Sequence, residues 1–222
     1  MNFQPANLRK KIEVGVLFYQ FFFTNFAPFF KMDKMFEKSD LKEALQTLRN
    51  GGVILYPTDT IWGIGCDATN EKAVARVYEI KRRAESKSLI LLVDHVGRVA
   101  NYVVDMPDIA YDLLDVSVKP TTIIYDKAKN LPASIVAEDG SIAIRVTAEE
   151  FSNALCAAAH VPIVSTSANI SGEPSPHNFS EISEEIKNAV DYIVKYRRED
   201  TAKSEPSAIM KIGSGGQIKI IR

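Results

Sequence analysis

The sequence has 222 residues, of which 46% are hydrophobic, so it can bury one substantial core and a single main domain is expected. Its 27 Lys and Arg residues are nearly balanced by 28 Asp and Glu residues, and the net charge is -1. Proteins that hold nucleic acid through its phosphates usually carry a cationic excess, so stable non-specific RNA binding is not indicated. A local basic groove is still compatible with this composition.

The two cysteines, Cys66 and Cys156, both lie in apolar contexts. Buried, reduced thiols are typical of a reducing compartment, and metal ligation would need more ligands at closer spacing. We therefore predict a cytoplasmic protein without a protein-bound metal.

The first 35 residues differ from the rest of the chain. Basic residues at 9–11 precede a Phe-rich run over 14–30, an order that resembles a signal peptide or membrane anchor. Polar residues and Pro28 interrupt this run, which is also short for a span of about 20 residues. We predict a disordered or non-native leader over 1–35 and no membrane partner, followed by one domain over 36–222. A membrane address and a structured extension are the alternatives.

Beyond the leader, short apolar strands are mixed with amphipathic helices, without an internal repeat or a low-complexity linker. Ser39-Asp40 and Asn70 are plausible N-caps of the first two helices, because their side chains can accept first-turn amides. In chain order the pattern predicts a helix at 41–48, strand 53–56, helix 71–80, strand 88–93, helix 107–115, strands 121–125 and 141–146, helix 151–159, strand 161–165, helix 181–190, strand 191–196, and paired strands at 208–212 and 217–221. The predicted class is α/β (α+β-like), with a twisted mixed open sheet and flanking helices.

Familiar nucleotide and metal signatures are absent from the sequence. There is no G-x-x-x-x-G-K-[ST] segment, and Gly63-Ile64-Gly65 is only a fragment of a dinucleotide fingerprint. The three histidines, His95, His160 and His177, have no metal-like spacing. Acid–base catalysis by histidine is therefore not expected.

Hydroxyl and cationic side chains instead gather near the ends of predicted strands, where ligands of open α/β sheets bind. Cations and hydroxyl donors suit a polyphosphate, and a buried arginine such as Arg145 needs an anionic partner from the protein or from a ligand. The run 81–83 could equally serve a helix C-terminus, Asp59 could be an ordinary turn residue, and 166–169 could cap a turn. The candidate residues are Thr58, Thr60, Lys81, Arg83, Lys87, Ser141, Arg145, Ser165, Ser167, Asn169 and Ser207.

Five segments carry a more specific pattern: GGVILYPTDTIWGIG at 51–65, Lys81-Arg82-Arg83, SIAIRV at 141–146, STSANISG at 165–172, and PSAI at 206–209. Together, in this order, they resemble the motifs of the YrdC-like family, which includes the bacterial threonylcarbamoyl-AMP synthases, and the match covers about 40–222. The sequence departs from the family pattern in three places that bear on the expected nucleotide site. Ala84 follows the K-x-R motif in place of proline, Ser117-Val118-Lys119-Pro120 replaces W-P-G-P, and Leu92 stands where longer members have a histidine.

The resemblance implies a large, positively lined central cavity in the sheet and an adenylate-forming reaction. L-threonine, bicarbonate and ATP would give threonylcarbamoyl-AMP and pyrophosphate, with Mg²⁺ as the expected companion of ATP. The product would pass to a tRNA threonylcarbamoyl transferase complex that forms the threonylcarbamoyladenosine at tRNA position 37, and a weak contact with tRNA is compatible with this role.

The resemblance also implies a division of labour among the candidate residues. Threonine would be held by Thr60, Arg145 and Ser207, with Arg145 facing its carboxylate. Lys81 and Arg83 would be the catalytic residues and, with Lys87, would hold the triphosphate. Further ATP contacts would come from Ser141, Ser165, Ser167, Asn169 and Arg222. The rival interpretations are an RNA-binding module of the same fold, which the near-neutral charge disfavours, and a paralogue with a different activity.

Overall fold

A computed structural model describes residues 36–83 and 89–222; the leader predicted over 1–35 and the candidate Lys87 lie outside the described residues. The helices are α1 (Lys38–Arg49), α2 (Glu71–Ile80), α3 (Val96–Val99), α4 (Asp108–Val116), α5 (Glu150–Ala159) and α6 (Glu184–Ala189). The strands are β1 (Ile54–Tyr56), β2 (Gly63–Gly65), β3 (Ile90–Val93), β4 (Thr121–Tyr125), β5 (Ile142–Val146), β6 (Ile163–Ser167), β7 (Tyr192–Ile193), β8 (Ala208–Ile212) and β9 (Ile218–Ile220). In these ranges no helix has both the length and the apolar character needed to cross a membrane.

In the described part of the chain, the strands form one mixed sheet in the order β7-β1-β2-β6-β3-β5-β4-β8-β9. Near its centre, β3 pairs parallel with β5 and antiparallel with β6. On the far side of β5, β4 pairs antiparallel with β5 and parallel with β8. The predicted α/β class with a mixed open sheet and flanking helices is therefore confirmed.

The two faces of the sheet have different partners because side chains alternate along each strand. Ile142 and Ile144 of β5 face one hydrophobic cluster, which includes Val74 and Val77 of α2. The register places Arg145 beside Leu92 on the other face. There Leu92 joins a second cluster, formed with α1 and α5, that covers only part of this face.

The predicted N-cap of the first helix is wrong, whereas that of the second is confirmed. Helix α1 begins at Lys38, and Glu37, two residues before Ser39, occupies the N-cap position. Asp40 is 1% exposed, and its carboxylate accepts hydrogen bonds from the Tyr192 hydroxyl and from two backbone amides of the segment after β7. The side chain of Asn70, as predicted, accepts the amides of Lys72 and Ala73 at the start of α2.

Two strands near the candidate residues differ from the prediction. Strand β6 lies two residues later than predicted, so Thr166 and Ser167 belong to the strand together with Ser165. The Gly63-Ile64-Gly65 segment is β2, between β1 and β6. A Cβ atom on Gly65 would lie 2.6 Å from the Val164 carbonyl oxygen, so this glycine permits close strand packing.

Candidate active site

A cavity of about 340 Å³ occupies the part of the second sheet face that α1 and α5 leave uncovered. Because side chains alternate between the two faces along each strand, residues that are register partners share one face. The cavity wall contains three such partners on neighbouring strands: Ile90 of β3, Ala143 of β5 and Ser165 of β6. The β1–β2 loop and the residues before β8 contribute Thr60 and Ser207. The site therefore lies across the strands as well as at their ends.

Seven of the predicted site residues line this single cavity, although they come from distant parts of the sequence. They are Thr60, Arg83, Arg145, Ser165, Ser167, Ser207 and Arg222. Lys81, Ser141 and Asn169 are not among the described residues that line it.

Arg145 has a protein partner for its buried charge. Its side chain is 3% exposed, and its Nε lies 3.1 Å from Oδ1 of Asp59, which is 9% exposed. Its Nη2 lies 3.5 Å from the Thr58 hydroxyl. Burial raises the pKa of Asp59, and the Arg145 guanidinium opposes this shift. Asp59 is thus an ion-pair partner of the site and not an ordinary turn residue.

Two pairs of hydroxyl groups flank Arg145. The Thr58 and Thr60 hydroxyl oxygens are 2.9 Å apart, and Thr58 also donates to the Ile61 carbonyl. The hydroxyl oxygens of Thr122 and Ser207 are 2.8 Å apart, and both residues are buried. These groups can orient a small polar ligand that is bound at the guanidinium.

Sequence reasoning missed Thr122 as a functional candidate. It lies on the cavity wall as the register partner of Arg145 in β4. The sequence predicted that Thr122 lies in a strand, but it did not indicate that this strand pairs with the one that contains Arg145.

The basic run after α2 is divided among different environments. Lys81 is 2% exposed, and its ammonium donates to the backbone carbonyls of Ser167 and Asn169 at the end of β6. Burial and the neighbouring Arg83 lower the pKa of Lys81 to about 8. Arg83 itself lines the cavity, and burial lowers its pKa.

Three further candidates have contacts that clarify their placement. The Asn169 amide donates to the carbonyls of Ile170 and Glu173, so it closes its own loop. Ser141 lies just before β5, two residues before Ala143, and its backbone amide donates to Oδ1 of Asp139. Arg222 lines the cavity, and its Nε donates to the Ser207 carbonyl at 3.2 Å.

The electrostatic character of the cavity wall is cationic and hydroxylic. Arg83, Arg145 and Arg222 line it together with Ser and Thr side chains, and none of the described wall residues has a carboxylate side chain. The described ranges also hold no group of three or more His, Cys, Asp or Glu residues that is arranged to bind a metal ion. Such a wall suits an anionic ligand with phosphate or carboxylate groups.

Comparison with known proteins gives consistent matches over most of the chain. Residues 46–222 match the Sua5/YciO/YrdC family model, which is described as "Telomere recombination". The chain is 36% identical over 184 residues to the threonylcarbamoyl-AMP synthase of Xanthomonas euvesicatoria, covering 82% of this chain and 97% of that protein. It is 32% identical over 189 residues to the protein of the same name from Acinetobacter baumannii, covering 82% and 98%.

Solved structures agree with these matches. P. abyssi Sua5 complexed with L-threonine superposes with a TM-score of 0.74 at 25% identity, covering 84% of this chain and 54% of that one. The chain thus spans about half the length of P. abyssi Sua5. E. coli YciO, at 22% identity and a TM-score of 0.73 over 84% of this chain and 89% of its own, shows the same fold. From the extent of the family match and the identity to near full-length relatives, the chain belongs to the Sua5/YciO/YrdC family.

Proposed function

We propose that this protein is an L-threonylcarbamoyladenylate synthase, which uses L-threonine, bicarbonate and ATP to form threonylcarbamoyl-AMP and pyrophosphate. The names of the Xanthomonas and Acinetobacter relatives support this reaction. The observation that carries the proposal is the shared cavity, which joins a buried arginine flanked by hydroxyl pairs to a second cationic region at Arg83.

The threonine end of the cavity is assigned to Arg145 and the hydroxyl groups around it. The Arg145 guanidinium would bind the α-carboxylate, because a planar fork of donors matches two carboxylate oxygens. Thr60 and Ser207, with Thr122, would orient the rest of the amino acid. The P. abyssi protein bound to L-threonine supports the choice of ligand.

The phosphate end is assigned to Arg83 together with Ser165 and Ser167, which lie on the adjacent part of the wall. Arg222, which also lines the cavity, would contact the nucleotide. Lys81 would act by holding the carbonyls of Ser167 and Asn169, while Lys87 stays a prediction because it lies outside the described residues.

The reaction needs positioning and charge neutralisation more than an acid–base side chain. The threonine amine and bicarbonate form a carbamate with loss of water. A carbamate oxygen then attacks the α-phosphorus of ATP, and the bond to pyrophosphate breaks. Fixed cations that neutralise the transferring phosphate and the departing pyrophosphate supply the main rate enhancement.

Mg²⁺ is proposed to enter with ATP and not to bind to a dedicated protein site. The described wall residues offer no carboxylate side chain, and Mg²⁺ is commonly held by substrate phosphates. The protein's own contribution at this point is to bind the remaining phosphate oxygens through Arg83.

The proposed product is a reactive mixed anhydride, so it needs an acceptor that consumes it. We propose transfer to tRNA by a separate tRNA threonylcarbamoyl transferase complex, in the cytoplasm, where the free and buried Cys66 and Cys156 would stay reduced. A weak tRNA contact by this chain is compatible with that role.

Pyrophosphate release in the presence of ATP, Mg²⁺ and bicarbonate tests the proposal when each amino acid is supplied in turn. We expect release with threonine, much less with serine or valine, and none when bicarbonate and CO₂ are removed. Valine is the sharpest comparison, because it keeps the branched shape and lacks the hydroxyl group.

Equal release with every amino acid, or no release with threonine, would refute the synthase assignment. Salt-dependent tRNA binding without any turnover would favour the RNA-binding alternative instead. Arg145→Lys serves as the matched variant, because it keeps a positive charge but loses the bidentate fork.

A further inference from the structure

We propose that Asp59 is a positioning residue for amino-acid recognition: it fixes the Arg145 guanidinium so that the free edge of the fork faces the substrate carboxylate. This inference rests on the proposed function and adds to it a residue that acts through Arg145. Asp59 is not on the cavity wall, whereas Arg145 is. Any effect of Asp59 on the substrate must therefore pass through another side chain.

The contact between the two side chains determines which edge of the guanidinium is free. Oδ1 of Asp59 lies 3.1 Å from Nε of Arg145, and both side chains are buried, at 9% and 3% exposure. A guanidinium has two edges that can bind a carboxylate in pairs, and one of them contains Nε. Because the Asp59 carboxylate lies on the Nε side of the guanidinium, the edge formed by the two Nη atoms is left for a second carboxylate.

Asp59 is itself held in place from several directions. The backbone amide of Ala148, which follows β5, lies close enough to the Asp59 carboxylate to oppose the rise of its pKa. The preceding Thr58 contacts Nη2 of Arg145 through its hydroxyl, and Arg197 donates to the Thr58 carbonyl at 3.2 Å. The β1–β2 turn is thus tied to the segments after β5 and β7, and this gives the ion pair a defined geometry.

A direct chemical role for Asp59 fits the structure less well. A proton acceptor for the threonine amine would have to reach the ligand, but Asp59 lies behind Arg145, away from the described wall. A purely structural role would affect stability and would not single out one substrate. The distinguishing quantity is therefore the affinity for threonine compared with that for ATP.

The test uses the full chain with Asp59→Asn, which keeps the side-chain shape and removes the charge. Asp191→Asn is the control, because Asp191 also accepts a backbone amide and pairs with an arginine, but that arginine, Arg76, does not line the cavity. We expect Asp59→Asn to raise the threonine KM by about 10- to 100-fold, as small displacements of a binding group do, and the ATP KM by less than about twofold. Asp191→Asn should change neither KM.

A second set of variants tests whether Asp59 acts through Arg145. Lysine at position 145 has no Nε edge, so Asp59→Asn should have little further effect on the threonine KM in an Arg145→Lys background. Independent, multiplicative effects of the two substitutions would overturn the inference. Asp59→Glu keeps the charge but shifts the carboxylate, so it should also weaken threonine binding if the geometry of the pair matters. It provides the comparison if Asp59→Asn does not fold.

Direct threonine binding, measured by calorimetry on the same variants, separates this inference from the proposed reaction. Wild-type protein that binds threonine but releases no pyrophosphate would refute the reaction, and the dissociation constants would still decide the role of Asp59. Unchanged threonine affinity in Asp59→Asn would refute the inference while leaving the reaction intact. Wild-type protein that binds no threonine would refute both.

Discussion

Replacing Arg145 with methionine should destabilise the protein, because the substitution leaves the Asp59 carboxylate buried without its counter-ion. The two side chains are 3% and 9% exposed, and their charged atoms are 3.1 Å apart. Removal of one partner of a buried ion pair typically costs about 3–5 kcal/mol of unfolding free energy. At about 2–4 °C per kcal/mol for a chain of this size, the melting temperature should fall by roughly 6–20 °C.

The destabilisation should depend on pH in a defined direction. Burial already raises the pKa of Asp59, and Arg145 opposes that shift, so loss of the guanidinium raises the pKa further. A carboxyl group whose pKa is higher in the folded than in the unfolded state makes the protein less stable as pH rises through the interval between the two values. Arg145→Met should therefore lose less stability near pH 5 than near pH 7.5.

Urea unfolding of the wild type, Arg145→Met and the double variant Asp59→Asn/Arg145→Met at both pH values provides the measurement. The double variant should recover most of the lost stability near pH 7.5 and should lose the pH dependence, because no buried charge is left at this site. A destabilisation that is the same at both pH values, or a double variant no more stable than the single one, would refute this reasoning.

Three further predictions follow from the same structure. Folding lowers the pKa of Lys81 from 10.5 to about 8, so the cost of burying its charged form disappears as pH rises and the ammonium loses its proton. The unfolding free energy of the wild type relative to Lys81→Met should therefore increase by about 2 kcal/mol between pH 7 and 9.5. A constant difference in urea unfolding would contradict this. Gly65→Ala should lower the unfolding free energy by about 1–3 kcal/mol, since its Cβ would lie 2.6 Å from both the Val164 carbonyl and the Tyr56 ring; wild-type stability in urea would show that the strands can move apart. Removal of residues 1–31 should leave threonine-dependent pyrophosphate release unchanged, and a loss of activity would count against the predicted leader.

Much of the fold could be predicted because the apolar runs are bounded by clear turn residues. Strand β4 has its predicted ends, and β5 begins one residue later than predicted. Strand β2 was missed because a Gly-Ile-Gly segment has almost no intrinsic strand preference. It forms a strand because it pairs with β1 and β6, and a single sequence does not show these neighbours.

The composition of the site could be predicted, but not its pairings. Arg145 in an apolar strand indicated an anionic partner, which the structure identifies as Asp59. The two residues are far apart in the sequence and lie on different elements, so neither spacing nor periodicity could select the partner. Thr122 was missed for a related reason, because its importance comes from the register of β4 against β5.

The basic run after α2 shows how adjacent residues of one motif can have different physical tasks. Lys81 is the C-cap of the helix, and Arg82 adopts a left-handed conformation with φ of 48° that ends the helical path. Arg82 extends to an exposed ion pair with Glu185, whereas Lys81 stays buried and Arg83 reaches the cavity wall. A buried ammonium that is bonded to two backbone carbonyls mainly fixes the β6 loop, while a guanidinium on the wall can meet a ligand directly. The left-handed conformation at Arg82 therefore separates the buried cation of Lys81 from the cation of Arg83 on the cavity wall.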